Sequence, residues 1–186
     1  MDKILAALGF LEAGACLFSI FSAVGWQGGI YLTIWVLIVE LTLFLFVLVG
    51  LNKGNLYRIL INISWTLGWQ VTIMFWIYVF PLLTEKNRLP LPFWFDFCAH
   101  GGVHMFAVGL FLRFPQKLKF QDSAWPVGMG LSYLFILVLP LKFYGIIVYP
   151  LFFEEVLTTV LVIGQSIIVS FSFFFIGKKV KSGKTD

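Results

Sequence analysis

His100 and His104 are the only two histidines in the chain, and they stand four residues apart in an apolar segment. Residues four apart on a helix share a face, so one face presents two imidazoles. Histidine takes up and returns a proton near neutrality, which suits it to general base work. A histidine pair in a membrane helix also serves haem, metals or proton relays. Bis-histidine haem draws its ligands from facing helices, and the chain has no histidine elsewhere, so haem held by one subunit is disfavoured. An ionisable group among apolar residues faces a protein interior or a polar cavity when the surroundings are lipid. The pair is therefore the first candidate for chemistry.

The surroundings are lipid by composition. The 186 residues are 60% hydrophobic and 12% charged, with a mean hydropathy of +0.97, against about 25% charged in a soluble domain. An all-α polytopic membrane protein follows. A net charge of +4, scattered among apolar runs, argues against a nucleic-acid partner. Cys16 and Cys98 form neither a disulfide framework nor a zinc spacing and read as buried apolar thiols. No metal site is predicted.

A bilayer-spanning helix needs about 20 apolar residues. The chain divides into six such runs, at about 4–24, 30–51, 60–82, 97–114, 126–149 and 151–176. Glycine, proline, asparagine or charge marks each break, as turns require: Gly28-Gly29, Asn52-Lys53-Gly54-Asn55, Thr84 to Arg88 with Pro90 and Pro92, the stretch from Pro115 to Pro126, and Pro150 alone. The prediction is a single six-span domain over 1–186, with a basic tail at 177–186 that anchors to lipid headgroups. The first run follows Lys3 in the manner of a signal peptide, but its apolar stretch is longer than an h-region and reads as a retained span. Asn62-Ile63-Ser64 matches a glycosylation acceptor but lies within the third span, out of a transferase's reach.

Charge orients the bundle. Ten of the thirteen Lys and Arg fall on one side when the N-terminus is cytoplasmic, leaving Lys86, Arg88 and Lys142 on the other, so both termini are predicted to be cytoplasmic. In that orientation the non-cytoplasmic end collects Thr33, His100, His104, Lys142, Tyr149, Glu154 and Glu155, with Thr33 one turn below the interface and the histidines one to two turns deep. Glu40 is seven residues after Thr33, on the same helix face; a mid-span carboxyl points into the bundle, and Thr33 then faces it too, its hydroxyl either serving the cavity or back-bonding to a carbonyl of its own helix. Glu12 in the first span either contributes to the cavity or bonds a neighbouring helix. A hydroxyl becomes a nucleophile when a nearby base takes its proton, so a Thr–His pair under the interface is suited to esters whose acyl chains lie in the bilayer. Cys98 is a poor nucleophile candidate, because side chains two residues apart diverge on a helix.

Four stretches carry a family resemblance that spans nearly the whole chain. They are Gly28-Gly29-Ile30-Tyr31-Leu32-Thr33; Val71 to Tyr78 with Phe75-Trp76-Ile77-Tyr78; His100-Gly101-Gly102-Val103-His104; and Gly145-Ile146-Ile147-Val148-Tyr149-Pro150 followed by Glu154. In order and spacing the chain resembles the androgen-induced membrane proteins, a family that includes the androgen-dependent regulator of tissue-factor-pathway inhibitor. These are membrane-embedded threonine hydrolases of fatty acid esters of hydroxy fatty acids (FAHFAs). The resemblance implies Thr33 as nucleophile and His104 as general base, through an acyl-threonine intermediate and without cofactor. His100, Lys142, Tyr149 and Glu154 are candidates to orient His104 or stabilise the oxyanion, and Glu40 is a possible supporting residue. Three features differ from the family: Gly29 stands where it has tryptophan, the histidines are four apart rather than three, and the loop after the second helix is shorter. Arg113, nine residues after His104, matches a charged residue that closes the family's histidine helix.

The implied partners are a lipid ester from the bilayer and the membrane lipids. The tail lacks the final lysines of a dilysine retrieval signal, which leaves endoplasmic reticulum and plasma membrane as locations. The alternative is a non-enzymatic transporter or proton relay through His100, His104, Glu40 and Glu12, or a lipid-binding membrane protein.

Overall fold

The structure is a computed structural model; it describes residues 1–82, 91–113, 118–144 and 156–182. Among these the chain is helical, with no strand. We label six helices: α1 (Asp2–Val24), α2 (Leu32–Leu48), α3 (Asn55–Val79), α4 (Phe93–Arg113), α5 (Phe120–Phe143) and α6 (Val156–Ser182). α1, α3, α4, α5 and the Ile163–Ser182 part of α6 are long and apolar enough to cross a membrane. The protein is an integral, multi-pass membrane protein.

α2 is shorter than its predicted run. Its 17 residues rise only about 26 Å, below the roughly 30 Å of a hydrocarbon core. The shortfall lies at both ends. Gly25 at a φ of 61° terminates α1, a conformation glycine adopts at little cost. The chain then winds through a 3-10 segment, Gly25–Ile30, whose Gly29 carbonyl accepts a 3.0 Å hydrogen bond from the Trp35 indole. Gly50, at a φ of 81°, leads out of the other end.

α3 is the most buried of the long apolar helices and touches α2, α4, α5 and α6. Its sequence explains the position. Asn62, Ser64, Thr66 and Gln70 are all buried, and polar groups in a membrane helix are tolerated where protein rather than lipid surrounds them. α1 packs on α2 and α4, close enough that a Cβ on Gly9 would overlap the Phe44 ring.

Other predicted boundaries change, α3 beginning at Asn55 rather than 60 and α4 at Phe93 rather than 97. α6 runs on through Ser182, so most of the lysines assigned to a basic tail are helical. Lys181 is buried: its ammonium donates to the Phe111 carbonyl and lies 4.4 Å from the centroid of that ring. Phe111 is in the last turn of α4, where carbonyls lack helical partners and a cation is favoured. Lys181 is thus tied to α4 within the bundle. The fifth helix begins at Phe120 rather than 126, because Asp122 nucleates an earlier turn. The turns predicted at 83–90 and at Pro150 lie outside the described residues.

Asp122 is 3% exposed. Its carboxylate accepts from the Lys119 backbone N–H at 2.7 Å and pairs with Arg58 at 3.4 Å, while its carbonyl accepts from the Asn62 amide at 2.7 Å. Asp122→Ala strands the Lys119 N–H and leaves Arg58 unpaired, and is expected to cost about 1–3 kcal/mol. A lower thermal midpoint in detergent, followed by tryptophan fluorescence, is the measurement.

Candidate functional site

The first turn of α2 begins after Tyr31, which is extended at a φ of −93° and a ψ of 136°. Thr33 follows at 8% exposure and Glu40 at 1%, with Ile34, Val36, Leu37, Leu43, Phe44 and Val47 also buried. This is one helical face, as the seven-residue spacing requires.

His104 is 3% exposed. It follows a π-helical turn at Cys98–Gly102, a feature frequent at functional sites because it re-aims the residues beyond it. Its Nδ1 is 2.9 Å from the Glu40 Oε1. The same oxygen accepts a hydrogen bond from the Ser64 hydroxyl of α3 at 3.0 Å. Three helices thus meet at one carboxyl oxygen. His104 Nε2 is buried and has no hydrogen-bond partner among the described residues.

The imidazole lies flush against α3. A Cβ on Gly68 would overlap its ring, so only glycine admits it there. Trp69 stands edge-on to it, with centroids 5.1 Å apart and planes at 85°. Trp69 in turn stacks on Phe173 of α6 at 5.8 Å, which limits the imidazole's freedom to rotate.

His100 also faces α3, one stage further along. Its ring stacks on Phe75 with centroids 3.5 Å apart and planes 5° from parallel, and its Nδ1 is 3.1 Å from the Asp96 carbonyl of its own helix. The two histidines share a face as their spacing predicts, but not a function: one is packed on an aromatic ring, the other joined to a carboxyl. Glu12 reaches a neighbouring helix, where its carboxyl packs on Gly102 of α4.

Depth is where the structure departs from expectation. His104 was placed level with Thr33, yet it meets α2 at Glu40, two turns and about 10 Å further along. The reason is arithmetic. Glu40 is eight residues from the start of α2 at Leu32, and His104 is eleven from Phe93, where α4 begins, rather than seven from Phe97, where the fourth run was expected to begin. Thr33 and His104 are buried in the same helix cluster without being hydrogen-bonded. Lys142 lies partly exposed in the last turn of α5 and is not bonded to either His104 nitrogen. Tyr149 and Glu154 lie outside the described residues. Among the described residues no group of three or more His, Cys, Asp or Glu side chains is arranged to hold a metal ion.

Ser64 and Gly68 were not anticipated. The signal was present in α3, where small or polar residues at 62, 64, 66, 68 and 70 alternate with apolar ones.

No family model, curated protein or solved structure matches the chain.

Gly68→Ala places a methyl group in the space of the His104 ring. The overlap costs about 1–3 kcal/mol, more than the roughly 1 kcal/mol that alanine gains over glycine in a helix. The expected result is a lower denaturation midpoint in detergent despite the better helix former.

Proposed function

We propose that the protein is a membrane-embedded lipid ester hydrolase, with Thr33 as nucleophile and His104 as general base. The observation that supports it most is the state of His104. One imidazole nitrogen is taken by a buried carboxyl, and the other, Nε2, is buried and unpartnered among the described residues, inside a bundle that also buries Thr33. An imidazole held by a carboxylate, with its second nitrogen open, is the arrangement that activates hydroxyl nucleophiles.

In this reading the Thr33 Oγ attacks the ester carbonyl and its proton passes to His104 Nε2. The hydroxy fatty acid leaves with that proton. Water, deprotonated by the same nitrogen, then attacks the acyl-threonine and releases the fatty acid, restoring Thr33. FAHFAs as the substrate class rest on the family resemblance, as does the absence of any cofactor. The two-turn offset requires Thr33 and Nε2 to approach on substrate binding, and catalytic contacts often close only in the substrate complex. The proposed orientation has both termini cytoplasmic, six spans, and the site on the far side, in the endoplasmic reticulum or the plasma membrane.

A second reading, a proton relay, draws on the mid-span position of the Glu40–His104 pair. It predicts proton flux in liposomes that survives Thr33→Ala.

Thr33→Ala and His104→Ala are each expected to lower hydrolysis of a bilayer-partitioned ester by at least about 100-fold with expression unchanged. Release of fatty acid by the purified protein in liposomes is the measurement. Full activity in either variant overturns the assignment.

A further inference from the structure

Glu40 is the least expected residue of the site: a carboxyl 1% exposed in an apolar helix. A buried carboxyl is costly unless hydrogen-bonded, and the donors that satisfy it come from α3 and α4. The Ser64 hydroxyl donates to Oε1, and Oε1 is also the atom 2.9 Å from His104 Nδ1. With Glu40 as the carboxylate, an acceptor only, the oxygen that accepts from Ser64 also accepts from the imidazole, and the proton between Oε1 and Nδ1 sits on the nitrogen. A neutral imidazole with its proton on Nδ1 carries its lone pair on Nε2, the nitrogen that is buried and unpartnered.

We propose that Glu40, itself held by Ser64, is a positioning residue that fixes His104 in the Nδ1–H tautomer and keeps Nε2 available as the base. The consequence for catalysis rests on the hydrolase reading above; the tautomer itself does not. Gly68 and Trp69 complete the device by fixing the plane of the ring, so that it cannot turn to present the other nitrogen. No metal or cofactor enters. The role differs from that of a nucleophile or base, because Glu40 touches His104 rather than substrate.

The test uses the two histidines of the full chain, labelled with ¹⁵N and reconstituted in phosphatidylcholine nanodiscs at pH 8. The His100→Gln variant identifies which imidazole signals belong to His104. Wild type is expected to show His104 protonated at Nδ1 and bare at Nε2. A wild-type His104 with its proton on Nε2, or on both nitrogens, overturns the proposal whatever the variants do. Glu40→Ala is expected to lose the Nδ1–H signature and to lower kcat for the ester by about 100-fold, with KM little changed. Glu40→Gln keeps an oxygen acceptor in place and is expected to retain most of the signature and recover part of the lost kcat. A tautomer unchanged in Glu40→Ala also overturns the proposal. Activity that survives Thr33→Ala overturns the hydrolase reading instead, so the two failures are distinguishable.

Discussion

The bundle is organised around a carboxyl group that lipid cannot solvate. Glu40 is buried on α2, and inside a bilayer every such group must find its partners within the protein. The partners fix how three helices pack: α3 must bring Ser64 to it and α4 must bring His104. Removing Glu40 leaves the Ser64 hydroxyl and His104 Nδ1 unpaired in an apolar interior, at about 1–3 kcal/mol for each group. The same set of bonds sets the depth and direction of His104 and which of its nitrogens is left without a partner among the described residues.

α3 is the element that makes this possible. Its small and polar positions let neighbours approach, with Gly68 under His104 and Ser64 beside Glu40. Its large positions hold α6 in place: the Trp65 indole donates to the Phe173 carbonyl at 2.8 Å and stacks on Phe111 at 4.2 Å, and Gln70 accepts from Ser170 at 2.6 Å. Trp69, stacked on Phe173, passes that rigidity to the imidazole. Site and scaffold are thus one network, in which the contacts that seat α6 also limit the motion of His104.

How far the sequence revealed this depends on which physical signal each residue carries. Composition and run length were enough for the membrane class and for the helices, because bilayer thickness constrains both strongly. Burial of Thr33 with Glu40 followed from helical period alone. The shared α3-facing side of His100 and His104 followed in the same way. The partners did not. Which helix faces His104 is set by tertiary packing, and depth counted from the expected segment ends differs because α4 begins at Phe93, four residues before the expected start, so that His104 meets α2 at Glu40. Ser64 was hidden inside a glycosylation motif that was read only to be set aside. Lys181 was read as surface charge because a lysine's long apolar stem can reach a helix end from either side of the interface, and sequence alone does not say which.

Catalysis by Thr33 is the central claim, and the most direct measurement is the site of covalent capture. The reconstituted protein is treated with a lipid-chain fluorophosphonate, and the modified peptide is identified by mass spectrometry. The account predicts one adduct, on the Thr33 hydroxyl, that is absent from His104→Ala. An adduct on another residue, or a wild-type protein that hydrolyses the ester yet takes no label at Thr33, contradicts it.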